Sequence, residues 1–219
     1  IRSGTVYVIV SVVSSTIFLI ALAMVYAALG TVNMAQIAIR ASEIDQGTAQ
    51  LIQVMLFVAF GVKAAIFPLH AWLPDSYPTA PAPVTAVFAG LLTKVGIYAI
   101  IRTQTTLFSN SNLNGVLQVF GLVTMIVGIM GAVAQDDIKR LLSFTLVSHI
   151  GFMLWGVGIG TLEGLTAAIF YTAHHIIVQT ALFLVSGLME RVGGSTSLVK
   201  LGSLLKAWPL LGVLFLIPA

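Results

Sequence analysis

The sequence predicts an all-α fold: a polytopic transmembrane helix bundle containing one proline-broken helix. Three observations lead there. Of 219 residues, 58% are hydrophobic and only 8% are charged, against about 25% charged in soluble domains. Apolar runs recur at span length, and a bilayer core about 30 Å thick takes about 20 apolar residues per helix. The runs do not alternate as barrel strands would, and backbone facing lipid must satisfy its own hydrogen bonds, so helices are the remaining solution.

Seven apolar segments follow in order: 5–29, 50–73, 81–103, 116–135, 141–160, 164–189 and a partial one from 208. We read residues 1–219 as a single transmembrane domain of six complete spans and one partial span. The link 30–49 is amphiphilic and suits the membrane interface. "FSNSNLNG" (108–115) reads as a polar turn, "QDDIKR" (135–140) as a short charged one, and 191–206 as a link holding a short surface helix. The chain begins at Ile1, shows no secretory signal peptide, and stops within an apolar run. The expectation is an internal piece of a longer transporter-like polypeptide.

The second segment is interrupted. "FGVKAAIFPLHAWLPDSYPTAPAPV" carries Pro68, Pro74, Pro78, Pro81 and Pro83, and proline removes a backbone donor and clashes with the preceding turn. A helix break near Phe67-Pro68 is expected. Broken helices at membrane depth occur inside protein or beside wet cavities, and transporters use them at ion sites. The alternative is that Pro74 to Pro83 form a surface link.

Charge sets the orientation. Arg2, Lys139, Arg140, Arg191, Lys200 and Lys206 fall on one side, and Arg40 and Arg102 on the other. Basic residues mark the cytoplasmic face, so the loops holding Lys139/Arg140 and Arg191–Lys206 are expected inside. A net charge of +3 gives no reason to expect nucleic acid, and the absence of cysteine excludes disulfides and thiolate chemistry from this chain. No Walker loop, dinucleotide fingerprint or spaced metal-ligand set is present, so no cofactor and no metal site is expected.

The chemistry lies in titratable groups within apolar segments: Lys63, Lys94, His149 and the pair His174-His175. A charged lysine at the bilayer centre costs about 2.5–3.5 kcal/mol on insertion scales, and such residues mark ion or proton pathways. Buried amines and imidazoles can release a proton near neutral pH, so these groups suit a proton relay through bound water. The alternatives are a snorkelling or capping role for either lysine and a packing role for His149. His174 and His175 point about 100° apart on a helix, and Gln179 shares a face with His175, so His175 is preferred. Asp136 and Asp137 read as solvated loop charges, and Glu163 as interfacial. Asp75 either caps a re-entrant turn or pairs with a base.

"FPLHAWLPDSYPTAPAPVTAVFAGLLTKVGIYAIIRT" resembles the core signature of the antiporter-like subunits of Mrp-type Na⁺/H⁺ antiporters, respiratory complex I and membrane-bound hydrogenases. "DDIKRLLSFTLVSHIGFMLWGVG" and "FYTAHHIIVQTALFLVSG" are similar to later blocks of that family. Ser76-Tyr77 departs from the Ala-His usual in complex I and, with "TKVGIYAIIRTQT" and "HHIIVQT", resembles the D subunit of the Mrp branch most closely. The resemblance implies a fourteen-helix parent fold with inverted repeats, each holding one broken helix. Lys63 would match the lysine of the first broken helix, Lys94 the bridging lysine, and His149 and His175 the relay positions of the next helices. The family's glutamate partner of the first lysine, and its distal lysine, have no counterpart in this sequence.

The resemblance implies a proton-translocating subunit of a multi-subunit Na⁺/H⁺ antiporter, a secondary transporter rather than an enzyme. Its expected partners are other membrane subunits, the lipid bilayer, protons and Na⁺. Inward proton flow would gain about 2.3 kcal/mol per charge for every ~100 mV. The alternative is a proton-pumping subunit of a respiratory NADH:quinone oxidoreductase or membrane-bound hydrogenase. A non-catalytic scaffold would use the lysines only to hold partners, and a seven-span receptor does not account for lysines at mid-segment.

Overall fold

The computed structural model describes residues 2–108, 113–202 and 204–219. Among these, six helices are long and apolar enough to cross a bilayer, and there is no β-strand, only one isolated bridge between Asp137 and Ser197. The expected polar turn at 108–115 falls largely on 109–112, which lie outside the described residues.

The first spanning helix, α1, runs Arg2–Leu29. A short helix α2 (Met34–Arg40) follows in the amphiphilic link, and its Arg40 Nη1 donates to the Leu29 carbonyl at 2.8 Å. α3 (Gln46–Ala64) starts on an Asp45 cap, whose carboxylate accepts from the Thr48 hydroxyl at 2.6 Å and the Thr48 amide at 2.8 Å. Those bonds hold the Asp45 carboxyl below the usual carboxylate range. Ala21, Val25 and Leu29 of α1 pack with Ile37, Ile52 and Leu56 into one apolar cluster.

The helix break differs in detail from the sequence expectation. α3 ends at Ala64, three residues before Phe67, because Ala65 turns left-handed at φ 61° and the Ile66 amide donates back to Gly61 O at 2.9 Å. This is the way many helices terminate, although glycine is the usual residue there. The pre-proline residue Phe67 disfavours helix, and helix resumes only at α4 (Trp72–Ser76), followed by a 3₁₀ turn at Tyr77–Thr79. The Phe67 amide donates to Thr124 Oγ1 at 3.1 Å, so irregular backbone finds its partner inside the protein. Pro74 is buried, not part of a surface link.

α5 spans Ala82–Leu107. It contains two π-helical turns, Phe88–Leu92 and Thr103–Leu107. α6 (Asn114–Val133) and α7 (Ile138–Gly158) form a tight antiparallel pair. A Cβ at Gly128 would lie 2.4 Å from the Ser148 amide nitrogen, so only glycine lets the backbones approach there. α8 (Leu162–Gly193) closes the bundle, and α9 (Leu198–Leu201), α10 (Leu204–Ala207) and α11 (Pro209–Leu216) follow it.

One end of the bundle is tied by charges. Lys139 is buried and pairs with Glu190 at 2.5 Å, while Arg140 pairs with Asp75 at 3.3 Å. Asp137 is not a free loop charge as the sequence suggested: it caps α7 through the Arg140 amide at 2.9 Å and bonds the Thr196 hydroxyl. Of the two roles open for Asp75, pairing with a base is the one found.

Candidate functional site

Lys63 lies at the middle of its apolar segment but in the last turn of α3, because the helix stops one residue later. The carbonyl end of a helix favours a cation. Its Nζ donates to Ser11 Oγ of α1 at 2.8 Å. The amine borders a cavity of about 30 Å³ shared with Tyr7, Ser11 and Trp72, room for a water molecule. It also borders a larger cavity of about 280 Å³ that reaches Ser14 and Gly96. Among the described residues Lys63 forms no ion pair.

Lys94 occupies the centre of α5 and is 3% exposed. Its Nζ donates to the Ala89 carbonyl at 2.6 Å, within the first π-helical turn. Such single wide turns leave a carbonyl poorly used by the helix and recur at functional sites. The helices that carry the two lysines, α3 and α5, pack closely. A Cβ at Gly96 would sit 2.8 Å from the Ala64 nitrogen and 2.9 Å from Phe60 O, so the residue next to Lys63 touches the residue two beyond Lys94.

On the other side of Lys94, α7 and α8 supply two imidazoles. The rings of His149 and His175 lie 4.6 Å apart between centroids, at 44°. His149 Nδ1 shares a short hydrogen bond with the Tyr171 hydroxyl. His175 is 1% exposed, and neither ring nitrogen has a hydrogen-bond partner among the described residues. A buried polar group in that condition is strained unless water or a proton-bearing neighbour reaches it. Gln179, one turn on, is buried and donates to Leu142 O at 2.9 Å. His174 is exposed and stacks on Phe170.

Of the four sequence candidates, the structure packs His149 of α7 against His175 of α8, buries Lys94 within α5, and leaves Lys63 half-buried at the end of α3. The sequence reading missed Ser11, the Ala89 carbonyl and Tyr171. Tyr171 was within reach, since it precedes His175 by one helical turn just as Gln179 follows it by one. Ser11 was not, because its partner lies 52 positions away.

A family profile described as "NADH:quinone oxidoreductase/Mrp antiporter, TM" matches residues 1–219. The chain belongs to this family. It is a multi-span membrane protein of that group. The chain is 43% identical over 221 residues to the D subunit of the Na⁺/H⁺ antiporter of Alkalihalophilus pseudofirmus, covering 100% of this chain and 45% of that protein. Its backbone matches a chain of the Mrp complex from Dietzia sp. with a TM-score of 0.91 at 37% identity, over 99% of this chain and 40% of that one. It also matches a chain of the archaeal membrane-bound sulfane sulfur reductase, a respiratory membrane complex, with a TM-score of 0.91 at 28% identity, over 99% of this chain and 45% of that one. The chain thus spans less than half the length of these relatives.

Proposed function

We propose that these residues form one transmembrane domain of the proton-translocating subunit of a multi-subunit Na⁺/H⁺ antiporter. Lys63, Lys94, His149 and His175 relay the proton. Lys63 exchanges protons with a partner group outside this sequence. Lys94 takes the proton across the bundle, and the His149–His175 pair carries it onward. The observation that carries this reading is the interior position of Lys94, 3% exposed and held by one backbone carbonyl, in a bundle that also packs two imidazoles against each other. Ammonium and amine can alternate there, and among the described residues no carboxylate pairs with Lys94 to pin either state. Inward proton flow then drives Na⁺ outward. The protein works in a bacterial plasma membrane with other membrane subunits around it, and the bundle end that carries Lys139 and Arg140, with the 191–206 link, faces the cytoplasm.

A second reading keeps the residues and changes the energy source to electron transfer in partner subunits. The equal backbone match to the respiratory reductase chain favours it, and the higher identity to the antiporter protein speaks for the first reading. The test is Lys94→Ala in the complete complex, reconstituted in vesicles. Na⁺ efflux driven by a proton gradient is expected to vanish while the complex still assembles. Efflux at the parental rate contradicts the relay, and lost assembly with transport intact in the surviving complexes supports a scaffold role.

A further inference from the structure

α5 and α8 run antiparallel and meet tightly near one end. A Cβ on Gly187 would lie 2.2 Å from the Ala82 Cβ, and one on Gly90 would lie 2.2 Å from Thr180 Oγ1. Toward the other end an apolar groove of about 570 Å³ lies between the two helices, within the range of ligand clefts, about 300–1,000 Å³. Leu91, Val95 and Tyr98 line it from α5, and Leu165, Ile169 and Ile176 from α8. Most of these side chains are exposed, so the groove opens sideways, toward the bilayer that the chain spans. Its lining runs along α5 from Leu91 to Thr105, about 21 Å at helical rise. One leaflet of a hydrocarbon core about 30 Å thick is about 15 Å deep, so the groove is long enough to follow an acyl chain through it.

The polar groups of the groove are mostly satisfied on their own helices. Thr105 Oγ1 donates to Ile101 O at 2.8 Å, Thr172 Oγ1 to Ala168 O at 2.7 Å, and Lys94 to Ala89 O. Arg102 is the exception. It is half-buried, its Nε has no hydrogen-bond partner, and it forms no ion pair among the described residues. It lies about 12 Å along the helix from Lys94, and a long basic side chain reaches from such a position to the headgroup level. Among the described lining residues there is neither a glycine nor an acid. Helices in this chain meet closely at glycines, as at Gly96, Gly128 and Gly187, in the usual manner of membrane helices. A groove walled by bulky side chains suits a flexible hydrocarbon chain better than another helix.

We propose that this groove seats one anionic phospholipid of the surrounding bilayer, with its phosphate on the Arg102 guanidinium and one acyl chain along the groove toward Lys94. The planar guanidinium matches two phosphate oxygens at once. A zwitterionic lipid fits less well, because its ammonium finds no carboxylate in the lining. The seated chain covers the side of Lys94 that borders the groove. The site needs only the groove and the Arg102 charge, so it stands or falls apart from the proton relay.

The test uses the complete complex in vesicles of phosphatidylethanolamine and phosphatidylglycerol. A phosphatidylglycerol probe with a diazirine on one acyl chain is photolysed, and its adducts are located by peptide mass spectrometry. Adducts are expected on 91–98 and 165–176. Arg102→Gln is expected to cut them about tenfold, the scale of one hydrogen bond to a charged group, and Arg102→Lys to retain part of the yield. A phosphatidylethanolamine probe with the same tail is expected to label the parent no better than phosphatidylglycerol labels Arg102→Gln. Adducts missing from both segments would mean that protein covers the groove in the complex, and would overturn the proposal. Equal yields from the two probes, or a parental yield with Arg102→Gln, would also overturn it. Should Arg102→Gln fail to assemble, unlabelled lipid is titrated against the probe in the parental complex. Competition by phosphatidylglycerol but not by phosphatidylethanolamine supports the site, and equal competition by both overturns it.

Discussion

Lys63 and Lys94 look alike in the sequence, each a single amine in an apolar run, yet the fold gives them opposite surroundings. Lys63 sits at a helix end, half-buried, bonded to a side-chain hydroxyl and bordered by two cavities. Lys94 sits inside a continuous helix, 3% exposed, bonded to its own backbone. The difference comes from backbone rather than from side-chain chemistry. A break at Ala65 ends the helix one residue after Lys63, whereas a π-helical turn offers Lys94 a carbonyl without ending the helix. In the proposed relay the first amine exchanges with the outside and the second transfers within.

The largest effect on this comparison is expected from Gly96→Leu. Its side chain meets the Ala64 backbone, which has no room to move aside. Overpacking of this kind costs about 1–3 kcal/mol or more, and it pushes the helices of the two lysines apart. The complex is expected to fall in membrane abundance and to lose transport in what remains, and normal abundance with normal transport would show that the close contact between their helices is not required. A middle-sized effect is expected from Tyr171→Phe. The ring stays and the hydroxyl paired with His149 goes, which removes about 1 kcal/mol of net hydrogen bonding and should slow exchange about fivefold without affecting assembly. An unchanged rate would take Tyr171 out of the internal half of the comparison. The smallest effect belongs to the break itself. Ala65 holds φ 61°, a conformation costing a non-glycine residue about 1–2 kcal/mol, so Ala65→Gly should raise the melting temperature slightly. Part of the gain is offset by the greater freedom of glycine in the unfolded chain. A lower melting temperature would mean that Ala65 does not hold this conformation.

The spans were legible because each is a long apolar run, and the structure moves most of their ends by only a few residues. The break was legible as a region from its prolines, but not its position, since Ala65 carries no signal for a left-handed turn. The π-helical turns were not legible, because "FAGLL" and "TQTTL" read as ordinary helix. Among the site residues, the lysines and histidines stood out for being polar in apolar runs. Their partners did not: a serine on α1 or a backbone carbonyl acquires meaning only when packing places it. Lys139 was misread for a related reason, its charge suggesting a loop while its partner Glu190 lies on another helix.

The central claim is that Lys94 must both hold and release a proton. Lys94→Arg tests it most directly, since arginine keeps the charge but does not deprotonate in proteins. In vesicles holding the complete complex, with assembly matched to the parent, Na⁺-driven proton movement is expected to fall to background. Proton movement at the parental rate would show that a fixed charge suffices at this position and would contradict the relay.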